Sequence, residues 1–162
     1  MSIAPSASFA STLHIRDHCL CLHAQRAART LARRFDEAFR PLGLTSGQFS
    51  LLNALNRPIP PTIGDVADLL GMDRTTLTAA LKPLVDKGRL VIERDAGDGR
   101  LRRLRLTSEG AAILAQAKPT WIALHEKIED ELPSALTGDD LRLGLDALAA
   151  FERPEHPAAG PA

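Results

Sequence analysis

Two short stretches, Leu90 to Arg94 and Leu101 to Leu106, flank the pentapeptide Asp95-Ala96-Gly97-Asp98-Gly99, a strong turn signal in a chain otherwise patterned for helices. A single hairpin among amphipathic helical segments points to a mainly α fold. The hairpin follows two capped helical segments, so the local order is helix, turn, helix, two-stranded hairpin. With 162 residues, 44% of them hydrophobic, the chain suffices for one domain around one core.

Residues 1–12 are small and polar without periodicity and read as a loose arm. From Leu13 a long helix is expected, with Leu20, Ala24, Ala27, Leu31, Phe35 and Ala38 on one face, stopped by Pro41 and Gly43. Thr45-Ser46-Gly47-Gln48 is a capping box opening a helix that turns Phe49, Leu52 and Leu55 inward. Pro58 to Pro61 reads as a rigid connector. Thr62 caps a short helix ended by Gly71, and Asp73 caps the next, with Leu77, Leu81, Leu84 and Val85 on its buried face and Pro83 expected to bend its last turn. Thr107 opens a long helix carrying Ile113, Ala117, Trp121, Leu124 and Ile128, interrupted at Pro119. Thr137 opens a last one with Leu141, Leu145 and Leu148 on one face, and residues 153–162 read as a disordered tail.

Ala67, Gly71 and Leu77 have the order of a helix-turn-helix: a small residue for close approach, a glycine to turn the chain, an apolar residue to lock the second helix. On that evidence alone an ordinary αα-corner is equally open. The Asp73 helix then presents Arg74, Thr75, Thr76 and Thr78 in its first turns, with Lys82 on the same free side. Hydroxyls and a guanidinium at a helix start suit base edges and phosphates in a major groove, although a solvated face would also carry them. Around the hairpin stand Arg94, Arg100, Arg102, Arg103 and Arg105, more cation than an edge strand needs for solubility. Arginine at the tip of such a wing can enter a narrow minor groove. Asp98 is placed to brace Arg100 by a salt bridge.

The formal net charge is zero, yet it is unevenly placed. Gly71 to Thr107 holds nine basic and five acidic residues, net +4; Ala123 to Glu155 holds three basic and nine acidic, net −6. One region is suited to a polyanion and the other repels it. No apolar run is long enough to span a membrane, and the first twelve residues lack the basic and apolar regions of a secretory signal. Two cysteines two positions apart cannot staple a fold, which fits a cytoplasmic, reducing setting. No Gly-rich phosphate loop, G-x-S-x-G or H-E-x-x-H is present, so nothing in the sequence marks an enzyme or calls for a cofactor.

The stretches LGLTSGQFSLLNAL, IGDVADLLGMDRTTLTAALKPLVDKGRLVIERDAGDGRLRRLRLT and the following SEG resemble the MarR family of bacterial transcriptional regulators, over about residues 15–150. The resemblance implies a winged helix-turn-helix over 45–107. The helix of residues 13–44 and the C-terminal helices of 108–152 would form the dimerisation layer of a homodimer on double-stranded operator DNA. Asp73 would open the recognition helix, with Arg74, Thr75, Thr76, Thr78 and Lys82 as its DNA-binding residues, and Arg94, Asp98, Arg100 and Arg102 would form the wing. Two such helices about 34 Å apart read a pseudo-palindrome. The resemblance also implies a repressor released by a small aromatic or phenolic effector, bound among the first helix, the Phe49 helix and the Trp121 helix. Pro83 departs from the expected pattern.

Other readings share this fold. Cys21 in Leu-Cys-Leu resembles the reactive cysteine of the hydroperoxide-sensing branch, with Cys19 beside it, but the tyrosines that branch uses are absent; the chain has no Tyr. A buried structural thiol is the plainer reading. His14, His18 and Cys21 fall at i, i+4 and i+7 of a continuous helix, where they could begin a zinc site completed by His125, although no metal is expected. A winged-helix adaptor binding protein instead of DNA would not need five arginines around one hairpin.

Overall fold

The computed structural model describes residues 8–150. The order is α1 (Phe9–His18), α2 (Leu20–Phe39), a 3₁₀ turn (Arg40–Leu42), α3 (Ser46–Leu55), α4 (Ile63–Leu69), α5 (Arg74–Asp86), β1 (Leu90–Arg94), β2 (Arg102–Leu106), α6 (Ser108–Asp130) and α7 (Gly138–Ala149). The fold is mainly α with one two-stranded antiparallel sheet, in which Leu90 faces Leu106 and Arg94 faces Arg102. No helix among the described residues is long and apolar enough to cross a membrane.

The core sits where α2, α3, α4, α5 and the sheet meet. Phe39, Leu52, Val66, Leu77, Leu81, Leu84, Leu90 and Leu104 are its largest fully buried side chains. A run of aromatic contacts extends it to α6: Phe39 and Phe49 lie 4.8 Å apart between ring centres, and Phe49 and Trp121 6.4 Å. The capping boxes at Thr45/Gln48 and Thr137/Asp140 form reciprocally, and Thr62 forms one with Asp65. Gly71 and Gly88, at φ +63° and +65°, turn the chain at the ends of α4 and α5, where a Cβ would be strained. The connector before Thr62 is pinned to the hairpin: Leu104 N–H donates to the Pro61 carbonyl at 2.9 Å, and Thr62 bridges to Arg103.

Four local expectations are corrected. The first helix starts at Phe9, four residues before the expected Leu13, with the Ser8 hydroxyl accepting from Ser11 N–H as its cap. The helix also breaks at Cys19, whose backbone is extended and whose sulfur accepts from Leu22 N–H at 3.4 Å, capping α2. Pro119, expected to interrupt the long helix, lies inside α6, and Pro83 lies inside α5 near its end, as read. Each proline withholds one backbone donor, and α6 and α5 run through to Asp130 and Asp86. Val85 is 37% exposed rather than buried, since it lines a surface groove between α5 and Ile92 of the hairpin. Residues 1–7 of the arm and the tail 153–162 lie outside the described residues.

Gly110 explains the Ser-Glu-Gly that opens α6. A Cβ there would overlap the Arg89 carbonyl oxygen, and that same carbonyl accepts from Thr107 N–H at 3.2 Å. The Thr107 hydroxyl donates to the Gly88 carbonyl at 2.6 Å and accepts from Gly110 N–H at 3.0 Å. The start of α6 is thereby fixed to the base of the hairpin, which sets how the wing stands relative to α5.

Candidate nucleic-acid interface

Helix α5 is oriented by its leucines: Leu77, Leu81 and Leu84 are fully buried, which leaves Arg74, Thr75, Thr78, Ala79 and Lys82 on the outer face. These residues line a groove of about 670 Å³ whose far wall is Ile92 of β1. The three threonines serve different ends. Thr76 belongs to the cap, its N–H and hydroxyl donating to the Asp73 carboxylate at 2.8 and 2.5 Å, which holds that carboxyl below the usual carboxylate range. The Thr78 hydroxyl donates to the Arg74 carbonyl at 2.7 Å. Only the Thr75 hydroxyl of the three makes no hydrogen bond among the described residues. The sequence put Thr76 on the reading face; the structure gives its polar atoms to the helix start.

The hairpin divides its five arginines. Arg103 pairs with Asp95 and also donates to the Pro60 carbonyl at 2.7 Å, while Arg105 pairs with Glu93 across the sheet. Arg102 donates to the Gly99 carbonyl at 3.1 Å and takes part in no ion pair among the described residues. Arg94 and Arg100 are exposed and take part in no ion pair among the described residues. A recess of about 310 Å³ joins Arg100 and Arg102 to Arg74 and Thr78 of α5 and to Thr62 to Gly64 of α4, so helix and wing share one cationic surface.

The expected Asp98–Arg100 salt bridge is not formed. The Asp98 carboxylate accepts instead from the Arg100 backbone N–H at 2.9 Å, tightening the turn while leaving the guanidinium unheld. The brace is Asp95, which sequence reasoning placed only in the turn. It accepts from Gly97 and Asp98 N–H, both at 2.8 Å, and from Arg103. The Arg103 guanidinium, helped by those two amides, pulls the Asp95 carboxyl down to about 2. An acid at the first position of a turn is the signal that could have found it.

Away from this surface, α3, α6 and the end of α4 enclose a cavity of about 680 Å³ lined by Phe49, Leu69, Leu114 and Trp121, with Asn53, Asn56 and Lys118 as polar groups. The first helix, expected among its walls, does not reach it. Cys21 is exposed, 3.2 Å from the Gln25 amide nitrogen, and Cys19 is half-buried. The break at Cys19 takes Cys21 out of helical phase with His14 and His18, whose rings stack at 4.2 Å. Among the described residues no three His, Cys, Asp or Glu side chains are grouped to hold a metal ion.

Comparison with known proteins places this geometry. The family model described as MarR family matches residues 42–101. The M. tuberculosis transcriptional regulator MosR, in complex with DNA, is 32% identical with a TM-score of 0.74, covering 82% of this chain and 94% of its own. The transcriptional repressor CouR bound to a 23-mer DNA duplex is 30% identical with a TM-score of 0.68, covering 87% and 97%. CouR from Rhodococcus jostii RHA1 bound to p-coumaroyl-CoA superposes with a TM-score of 0.70 at 21% identity, over 86% and 97%.

Proposed function

Because this chain belongs to the MarR family of transcriptional regulators, we propose that it is a cytoplasmic repressor acting as a homodimer on a pseudo-palindromic DNA operator. The observation that carries this reading is the sorting of charge on one face. Arg103 and Arg105 are neutralised within the hairpin, while Arg94 and Arg100 take part in no ion pair among the described residues and Arg100 shares a recess with Arg74 of α5. Phosphates pair with the wing cations, and the α5 face enters the major groove. MosR and CouR, both solved with DNA, support the same use of the fold. Titration against the duplex upstream of the chain's own gene tests it: affinity falls steeply as salt rises, because paired phosphates release counterions. Affinity that ignores both sequence and salt would refute it.

The dimer reading assigns residues 13–44 and 108–152 to a shared layer. Its support is α7, which has no buried side chain and shows Leu141, Leu145 and Leu148 at its surface. Leu141 and Leu145, with α2 and α6, line a groove of about 790 Å³ floored by Leu31, Phe35 and Ile128.

The effector reading assigns the α3–α6 cavity to a small aromatic acid or phenol. Its size suits such a ligand, and Lys118 offers a cation to a carboxylate. CouR, solved with an aromatic thioester, supports a ligand-responsive fold. Trp121 is the only tryptophan and lines the cavity, so ligand titrations followed by its fluorescence, paired with loss of operator binding, identify the effector.

One observation favours a second reading, a thiol sensor. Cys19 caps α2 at a helix break and Cys21 is exposed two residues on, so oxidation there would disturb the start of the long helix. Peroxide treatment then releases DNA from the native protein and not from Cys21→Ser; equal release removes the reading.

A further inference from the structure

The groove beside α5 is apolar at its centre, where a surface made only to hold phosphates would be polar. Arg74 and Lys82 line it with Ala79, which falls between them along α5, and Val85 and Ile92 complete its apolar lining. Ile92 is 41% exposed, a large aliphatic side chain left at the surface on the inner side of a cationic wing. The threonines deepen the effect. Thr78 spends its hydroxyl on the Arg74 carbonyl, so among the residues lining this groove Thr75 keeps the one uncommitted hydroxyl. Ala79 lies one helical turn from Thr75 on the same face. In the major groove the one apolar group a base pair offers is the 5-methyl of thymine, and small aliphatic side chains are its natural contact.

We propose that Ala79 is a specificity-determining residue that receives a thymine 5-methyl group, so that each operator half-site carries a thymine opposite it. The proposal rests on the reading of the chain as a sequence-specific DNA-binding regulator and goes beyond it in naming the chemical feature read. The flanking cations supply charge complementarity: Arg74 and Lys82 hold the phosphates on either side of the groove, and the methyl fills the space between. Val85 and Ile92 extend the apolar wall toward the deoxyribose of the same strand.

The test uses the full chain and duplex DNA selected from a randomised pool. The preferred duplex is resynthesised with deoxyuridine replacing thymidine at each symmetric pair of positions in turn, which removes only the methyl group. At one pair, affinity for the native protein falls by about fourfold per half-site, the value of one buried methyl-sized group; the other pairs change little. Ala79→Gln, a good helix former at an exposed position, still binds but no longer separates thymine from uracil at that pair. A preferred duplex indifferent to uracil at every position overturns this proposal alone. A pool that yields no preferred duplex overturns the regulator reading, and this proposal with it.

Discussion

At the scale of single residues, the turn acid Asp95 decides whether the wing is a fixed or a loose element. It binds Arg103 and two turn amides at once, and its carboxyl is pulled from 3.8 to about 2. A depressed carboxyl adds stability above its unfolded value and loses it as pH falls toward the folded one. The hairpin tip is therefore held fully at neutral pH and loosens between about pH 4 and 2. Asp95→Asn should speed hydrogen exchange at the Gly97 and Asp98 amides at pH 7, and the native protein should approach that behaviour near pH 2. Gly110 has the opposite character, with no side chain and no room for one. Gly110→Ala must shift the Arg89 carbonyl or the start of α6, costing about 1–3 kcal/mol in a denaturant melt, typical of overpacking. The sequence showed both residues but not their partners: Asp95 and Arg103 are eight apart across a turn, and nothing in either one's type says which of five arginines it meets.

At the scale of elements, what was legible was local. Thr45 with Gln48 caps its helix within three residues and the box forms as read, and Thr137 opens the last helix as read, there too with a reciprocal partner, Asp140. The leucine spacing of α5 likewise fixed its buried face, apart from Val85, because 3.6-residue periodicity is a property of the helix itself. What escaped were the break at Cys19, the continuity of α6 through Pro119, and the division of wing arginines into paired and unpaired, the last set by partners on the opposite strand and turn. That division carries a prediction. Arg100→Ala should weaken operator binding and lower the slope of log affinity against log salt by about one for each half-site. Arg105→Ala should alter the slope much less, because Glu93 already neutralises it. Fluorescence titration at several salt concentrations measures both, and equal slopes for Arg100→Ala and the native protein would remove the wing tip from the phosphate contacts.

At the scale of the whole molecule, the acidic C-terminal region and the basic wing are suited to different partners. Helix α7 begins under a capping box and is tied to α6 by Arg142, which pairs with Glu129 at 2.7 Å, while Arg34 of α2 pairs with Glu131 at 2.5 Å. The Arg142 tie holds α7 to α6 without burying it: Leu145 is 53% exposed. A helix positioned by ion pairs yet apolar on its outer face is suited to a second copy of the chain, the isologous contact that a two-fold dimer makes. Leu145→Asp places a charge in that contact. Since the substitution disturbs no buried side chain of its own subunit, the variant should keep its helical content while its mass by light scattering halves. Each monomer then meets one half-site, so the salt dependence of operator binding should drop to about half and the preference for paired half-sites should vanish. A variant that keeps both its mass and its salt slope would show that the subunits join elsewhere, and the pseudo-palindrome would have to be read by a different pairing of the two recognition helices.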